Sequence, residues 1–143
     1  MMKRWVRLLA GLALALAAGC EKGPPPGPPL AQPYPVEGTI TFPGGAPLKG
    51  GMIYFTPTEP KSGGKIRYEA TSMVDARGRY KLGLNDESGA PAGDYKVSIK
   101  PRDYMEIGGS NSNRIPVKYR DAATTPLTVT VKEGDNTFKF ELK

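Results

Sequence analysis

From Val36 onward, hydrophobic and polar residues alternate with a period of two, and Gly- and Pro-rich breaks cut the alternation into short runs. That period marks half-buried β-strands, because successive side chains of a strand point to opposite faces. Val36 to Phe42 sets Val36, Ile40 and Phe42 on one face and Thr39 and Thr41 on the other, and Pro43-Gly44-Gly45-Ala46-Pro47 then turns the chain. Met52 to Thr56 predicts a second strand with Ile53 and Phe55 inward, and Ile66 to Val74 a third, after the loop at Lys61-Ser62-Gly63-Gly64. Asp75-Ala76-Arg77-Gly78 reads as a type I turn with Gly78 at positive φ. It leads into Arg79 to Leu84, where Tyr80, Leu82 and Leu84 alternate with polar neighbours. Asp94 to Lys100 is a fifth strand, Leu127 to Val131 a sixth, and Gly134-Asp135-Asn136 turns into Phe138, Phe140 and Leu142. No stretch carries a 3.6-residue period.

Seven short strands between residues 36 and 143 predict an all-β fold, an antiparallel seven-stranded sandwich of two sheets. Phe138, Phe140 and Leu142 make the last strand part of the core. One stretch escapes the pattern. Pro101 to Pro126 holds Tyr104, Met105, Ile107, Ile115, Val117 and Tyr119 among Gly, Ser and Asn, and connections longer than about 12–15 residues are uncommon in compact domains. The plain expectation is a loop packed over the sandwich, with Ile115 to Tyr119 as an edge strand. The functional alternative is a contact surface of Tyr104, Arg114, Lys118, Tyr119 and Arg120, whose positive field favours acidic partners or anionic glycans.

Upstream of Val36 the pattern changes twice. Lys3, Arg4 and Arg7 precede an unbroken apolar run from Leu8 to Ala18. A basic start, an apolar stretch of this length and small residues at Ala17-Ala18-Gly19 are the three parts of a secretory signal. The run is too short for a spanning helix, which needs roughly 20 apolar residues. Leu16-Ala17-Ala18-Gly19-Cys20 resembles the bacterial lipobox, with Ala17 where that pattern prefers Leu. The resemblance implies cleavage between Gly19 and Cys20 and a fatty-acylated Cys20 as the new N-terminus. Several acyl chains on one residue anchor stably, since each buried methylene contributes roughly 0.8 kcal/mol. Residues 21–35 then hold Pro24-Pro25-Pro26-Gly27-Pro28-Pro29, Pro33 and Pro35, which predicts an extended spacer of about 3.1 Å per residue. The expected organisation is a signal peptide at 1–19, a lipidated Cys20 with a Pro-rich linker to 35, and one domain over 36–143.

Several segments of that domain resemble the carboxypeptidase regulatory-like, transthyretin-type (prealbumin-like) domains. They are Val36-Glu37-Gly38-Thr39-Ile40-Thr41-Phe42, Pro47-Leu48-Lys49-Gly50-Gly51 with Ile53-Tyr54-Phe55-Thr56-Pro57, Asp75-Ala76-Arg77-Gly78-Arg79-Tyr80, and Pro91-Ala92-Gly93-Asp94-Tyr95-Lys96-Val97. Ile115-Pro116-Val117-Lys118-Tyr119 and Leu127-Thr128-Val129-Thr130-Val131 resemble the small planctomycete lipoproteins that carry this domain. The resemblance implies a seven-stranded prealbumin-like sandwich and an accessory module with no reaction of its own. The enzymatic branch of that fold, the hydroxyisourate hydrolases, uses histidines and a Tyr-Arg-Gly-Ser tail, and neither is present.

Charge and residue inventory narrow the chemistry. The formal net charge is +6, but Lys3, Arg4 and Arg7 lie in the signal segment; beyond residue 19, 17 basic residues face 14 acidic ones, near +3. Those charges are interspersed along the strands, which argues for a solvated mixed surface and against a nucleic-acid face. With no histidine and one cysteine, thiolate zinc sites, internal disulfides and Ser–His or Cys–His nucleophilic schemes are excluded. Asp75 to Gly78 has Arg77 where a calcium loop needs an oxygen donor. Asn85-Asp86-Glu87-Ser88-Gly89 is richer in oxygen but reads as a solvated loop. No metal or cofactor is expected. Two function classes stay open: a non-catalytic module of the cell envelope, held to a membrane by its lipid and binding a protein or glycan, or an envelope hydrolase working with a carboxylate pair.

Overall fold

The computed structural model of the chain describes residues 23, 25–83, 89–102 and 109–143. Within them, eleven strands follow in order: β1 (Pro33–Tyr34), β2 (Val36–Thr41), β3 (Met52–Pro57), β4 (Lys61–Ser62), β5 (Lys65–Ile66), β6 (Ala70–Met73), β7 (Arg79–Lys81), β8 (Ala90–Pro91), β9 (Gly93–Lys100), β10 (Thr128–Val131) and β11 (Asn136–Glu141). The fold is all-β and sandwich-like. One sheet runs β10-β9-β3-β6 and the other β11-β2-β7, while β1 with β8 and β4 with β5 form two-residue ladders.

The alternation in the sequence is the alternation of burial. Ile53 and Phe55 of β3 face Ile99 and Val97 of β9 in register and are fully buried, as is Ile40 of β2 opposite Phe140 of β11. Phe55 is the hub of the core. Its ring lies 6.0–6.4 Å from those of Tyr80, Tyr95, Phe138 and Phe140, in the tilted and edge-on arrangements that aromatic pairs prefer. Because Phe55 comes from one sheet and Tyr80, Phe138 and Phe140 from the other, this cluster joins the layers.

Three sequence expectations are corrected. The sandwich is not antiparallel throughout: β11 runs parallel to β2, from Asn136 opposite Val36 to Glu141 opposite Thr41. Hydrophobic alternation reads the same in both directions. Between strands from opposite ends of the domain no hairpin fixes the sense, and the intervening chain serves as the crossover that a parallel pair requires. Ile66 to Val74 is not one strand, because Arg67-Tyr68-Glu69 separates β5 from β6. Ile115 to Tyr119 is not an edge strand either. It belongs to two 3₁₀ turns, Ser112–Arg114 and Val117–Tyr119. Pro116 caps the second turn, its carbonyl accepting from the Tyr119 N–H at 3.0 Å. Burial shows why: a strand would set residues 115, 117 and 119 on one face, yet Ile115 and Tyr119 are buried while Val117 is 74% exposed.

Residues 109–127 therefore plug one side of the sandwich. Asn111 donates its side-chain amide to the Pro47 carbonyl and accepts from the Lys49 N–H at 2.7 Å. At the far end, the Thr125 hydroxyl donates to the Val97 carbonyl at 2.6 Å, so the connection covers β9 beyond the reach of β10. Among the described residues no helix is long and apolar enough to cross a membrane.

Candidate functional site

The structure divides the predicted contact surface. Tyr104 lies outside the described residues, as do Gly19 and Cys20. Tyr119 is 3% exposed, and its hydroxyl both donates to the Lys143 carbonyl and accepts from the Lys143 N–H, each at 3.1 Å. It is a packing residue that ties the plug to the end of the last strand. Arg120 is also committed: its guanidinium donates to the Ile115 carbonyl at 2.7 and 2.9 Å and to the Asn113 carbonyl at 3.0 Å, holding the first 3₁₀ turn closed. Only Arg114 and Lys118 are exposed cations, lying over the rings of Phe42 and Tyr119 at 5.1 and 5.0 Å. Two of the four described residues of the expected surface are therefore scaffold.

The turn at Asp75 is occupied by its own backbone. One carboxylate oxygen accepts from the N–H groups of Arg77 and Arg79 at 2.8 and 2.9 Å, and the other from the Arg79 guanidinium at 2.9 Å. Partial burial pushes this carboxyl up. The backbone bonds from Arg79 and Arg77, with the Arg79 guanidinium, outweigh that and hold it below the usual carboxylate range. The oxygen-rich loop has its residues 85–88 outside the described part, and among the described residues no three metal-ligating side chains cluster.

Among the described residues a recess of about 270 Å³ is lined by Leu30, Tyr68, Glu69, Ala70 and Thr71; two others carry cationic side chains. A groove of about 620 Å³ lies along the open edges of β6 and β7, lined by Met52, Met73, Glu37, Arg79 and Lys81. Its charges are mixed, and its apolar part is the Met52–Met73 pair, directly opposite each other in the β3–β6 ladder. The second, about 200 Å³, lies where the segment before β2 meets the β4–β5 hairpin, among Gln32, Tyr34, Ser62, Lys65 and Arg67.

That second recess exists because the Pro-rich segment does not leave the domain at Val36. The Ile66 N–H donates to the Pro29 carbonyl at 3.0 Å, the Ala31 N–H donates to the Ile66 carbonyl at 2.9 Å, and β1 pairs with β8. Composition gave no sign of this, since Pro carries no N–H and the run has no alternation. The bonds use the Pro29 carbonyl and the rare non-proline N–H of Ala31. Arg67 lines the recess, its guanidinium so close over Gly93 that a Cβ there would stand 2.4 Å from it. Burial, slightly opposed by the Arg67 charge, pushes the nearby Tyr95 phenol up to about 12, and its hydroxyl donates to the Pro91 carbonyl at 2.7 Å.

No protein-family profile matches the chain, and no curated protein matches it. Among solved structures it is similar to the major pilin subunit of Bacillus cereus, at 23% identity over 78% of this chain with a TM-score of 0.46. It spans 30% of that pilin. It is also similar to the dioxygenase domain of a dioxygenase–carbohydrate-binding protein fusion from Streptomyces sp. SirexAA-E, at 18% identity. That alignment covers 85% of this chain and 94% of the domain, with a TM-score of 0.38.

Proposed function

We propose that this chain is an exported lipoprotein: acylated Cys20 holds a non-catalytic β-sandwich module in the cell envelope, where it binds or scaffolds a protein or glycan. The module is of the carboxypeptidase regulatory-like, prealbumin-type class that its strand and turn segments resemble. The observation that carries the reading is the position of Cys20, the only cysteine of 143 residues, directly after a basic, apolar and small-residue leader. The domain supports a binding role in a simple way. Asp75, Tyr119 and Arg120 are each consumed in holding backbone, so what faces solvent is surface and recess. The groove beside β6 and β7 is the place for an extended partner segment, with Met52 and Met73 as its adaptable apolar contacts.

Intact mass of the protein isolated from membranes tests this reading. The expected species starts at Cys20, carries a diacylglyceryl mass and lacks Trp5, so it has no tryptophan emission. A membrane-derived species that retains Trp5 without acyl mass contradicts it.

A further inference from the structure

We infer that the face formed by residues 29–34 and the β4–β5 hairpin docks on anionic phospholipid headgroups of the membrane that holds the anchor. The location rests on the lipid-anchored reading of Cys20; the chemistry rests on the hairpin itself.

The backbone bonds at Pro29 and Ala31 move the free end of the tether. From Cys20 to Pro29 is nine residues, which span at most about 32 Å however they are arranged. The element gripped at that point is the hairpin: Ile66 of β5 makes both bonds and is bridged to Leu30. Whatever orientation the domain takes, the hairpin is tied to the chain nine residues after Cys20. Its residues Lys61, Ser62, Gly63, Gly64 and Lys65 are all exposed.

What this face presents is cationic and rich in donors. Lys65, Arg67, the Ser62 hydroxyl, the Gln32 amide and the Tyr34 phenol line the recess, and no carboxylate does. The ion pairs among the described residues are Asp75–Arg79 and Glu141–Lys143, so none neutralises Lys61, Lys65 or Arg67. Of the neighbouring acids, Glu69 accepts from the Thr56 hydroxyl at 2.6 Å, and Glu59 is exposed on the approach to β4. A guanidinium lying over Gly93 beside an ammonium and neutral donors suits the oxygens of a phosphodiester. Leu30, 60% exposed and bridged to Ile66 of the hairpin, adds an apolar contact for the interface, on the side of the neighbouring recess that it lines with Glu69. Basic groups within a Debye length of an anionic membrane strengthen binding by about fivefold each.

The test uses the chain from residue 20 onward carrying Cys20→Ser, which retains every described residue and has no acyl group. Co-sedimentation is measured with vesicles of phosphatidylcholine and of phosphatidylcholine mixed with phosphatidylglycerol, at low salt. The expected result is selective binding to the mixed vesicles, reduced about fivefold by Lys65→Gln and about twenty-five-fold by Lys61→Gln with Lys65→Gln. Both substitutions are on exposed side chains, so unchanged unfolding curves separate lost binding from lost fold. Equal binding to both vesicle types overturns the inference. So does binding abolished by inorganic phosphate at constant ionic strength, which marks a free-anion site. Since this chain carries no lipid, selective vesicle binding stands even if acylation of Cys20 fails, and the two readings fall separately.

Discussion

Two segments of this chain lie outside the strands of the two main sheets, the Pro-rich stretch before Val36 and the connection from 109 to 127, and they fold onto the sandwich by different means. The first attaches by backbone: it bonds β5 through Pro29 and Ala31 and pairs β1 with β8, while most of its side chains from 25 to 32 stay exposed. The second attaches chiefly by side chains: Ile115 and Tyr119 are buried in the core, and Asn111 and Thr125 donate to the Pro47 and Val97 carbonyls, beside single backbone bonds from Asn111 to Lys49 and from Val97 to Leu127. A segment held by apolar burial belongs to the cooperative core. One held by a few surface hydrogen bonds can loosen alone. The difference suits the proposed roles, a plug that must not move and a tether end that orients the domain.

Substitutions break that contrast in order of size. Phe140→Ala should cost about 3–5 kcal/mol and Ile115→Ala about 2–5 kcal/mol by chemical denaturation, as for other large core side chains. A cost below about 0.5 kcal/mol for Ile115→Ala would remove the connection from the core. Gly89→Ala addresses the other segment. Gly89 sits at φ +123°, and a Cβ there would stand 1.8 Å from the Tyr34 carbonyl oxygen, so β1 must separate from β8. The expected cost is about 1–3 kcal/mol, with faster amide exchange confined to the β1–β8 ladder and the core amides unchanged. Tyr119→Phe keeps the burial but loses both bonds to Lys143, and should cost about 0.5–1.5 kcal/mol. Leu30→Ala should change stability by less than about 0.5 kcal/mol, because its side chain is largely in water already.

A pH titration leaves neutral stability untouched, and the comparison with Tyr95→Phe isolates a core phenol from the lysines that titrate in the same range. The Tyr95 phenol, pushed up to about 12 by burial, keeps its proton in the folded state where the unfolded chain, near 10, has lost it. Tyr80 is raised in the same direction by burial. Stability should therefore be full below about pH 10 and fall as pH rises towards 12. Tyr95→Phe should flatten that decline, and an unchanged slope would show that the phenol is not shielded.

The strands were legible because each has one wet face and one dry face, which writes period two into the sequence at Ile53 and Phe55 or at Phe138 and Phe140. Pairing was not. The parallel match of β11 with β2 joins residues a hundred positions apart, and neither strand's pattern records direction. The turns around Pro116 failed for a local reason, since Ile115, Val117 and Tyr119 mimic alternation although only the outer two are buried. The candidate surface was half legible. Arg114 and Lys118 are exposed as expected, but a tyrosine and an arginine look alike in sequence whether they face a partner or cap a carbonyl. The basic recess at Lys65 and Arg67 was invisible because it is completed by Gln32 and Tyr34 from a segment read as spacer.

Metabolic labelling with a fatty-acid analogue, followed by fractionation, compares the natural chain with Cys20→Ser. The natural protein should carry label and sediment with membranes, whereas Cys20→Ser should carry none and lose most of its membrane retention, keeping at most a weak, salt-released fraction through Lys61, Lys65 and Arg67. Equal, salt-resistant membrane retention of the unlabelled variant would contradict the account.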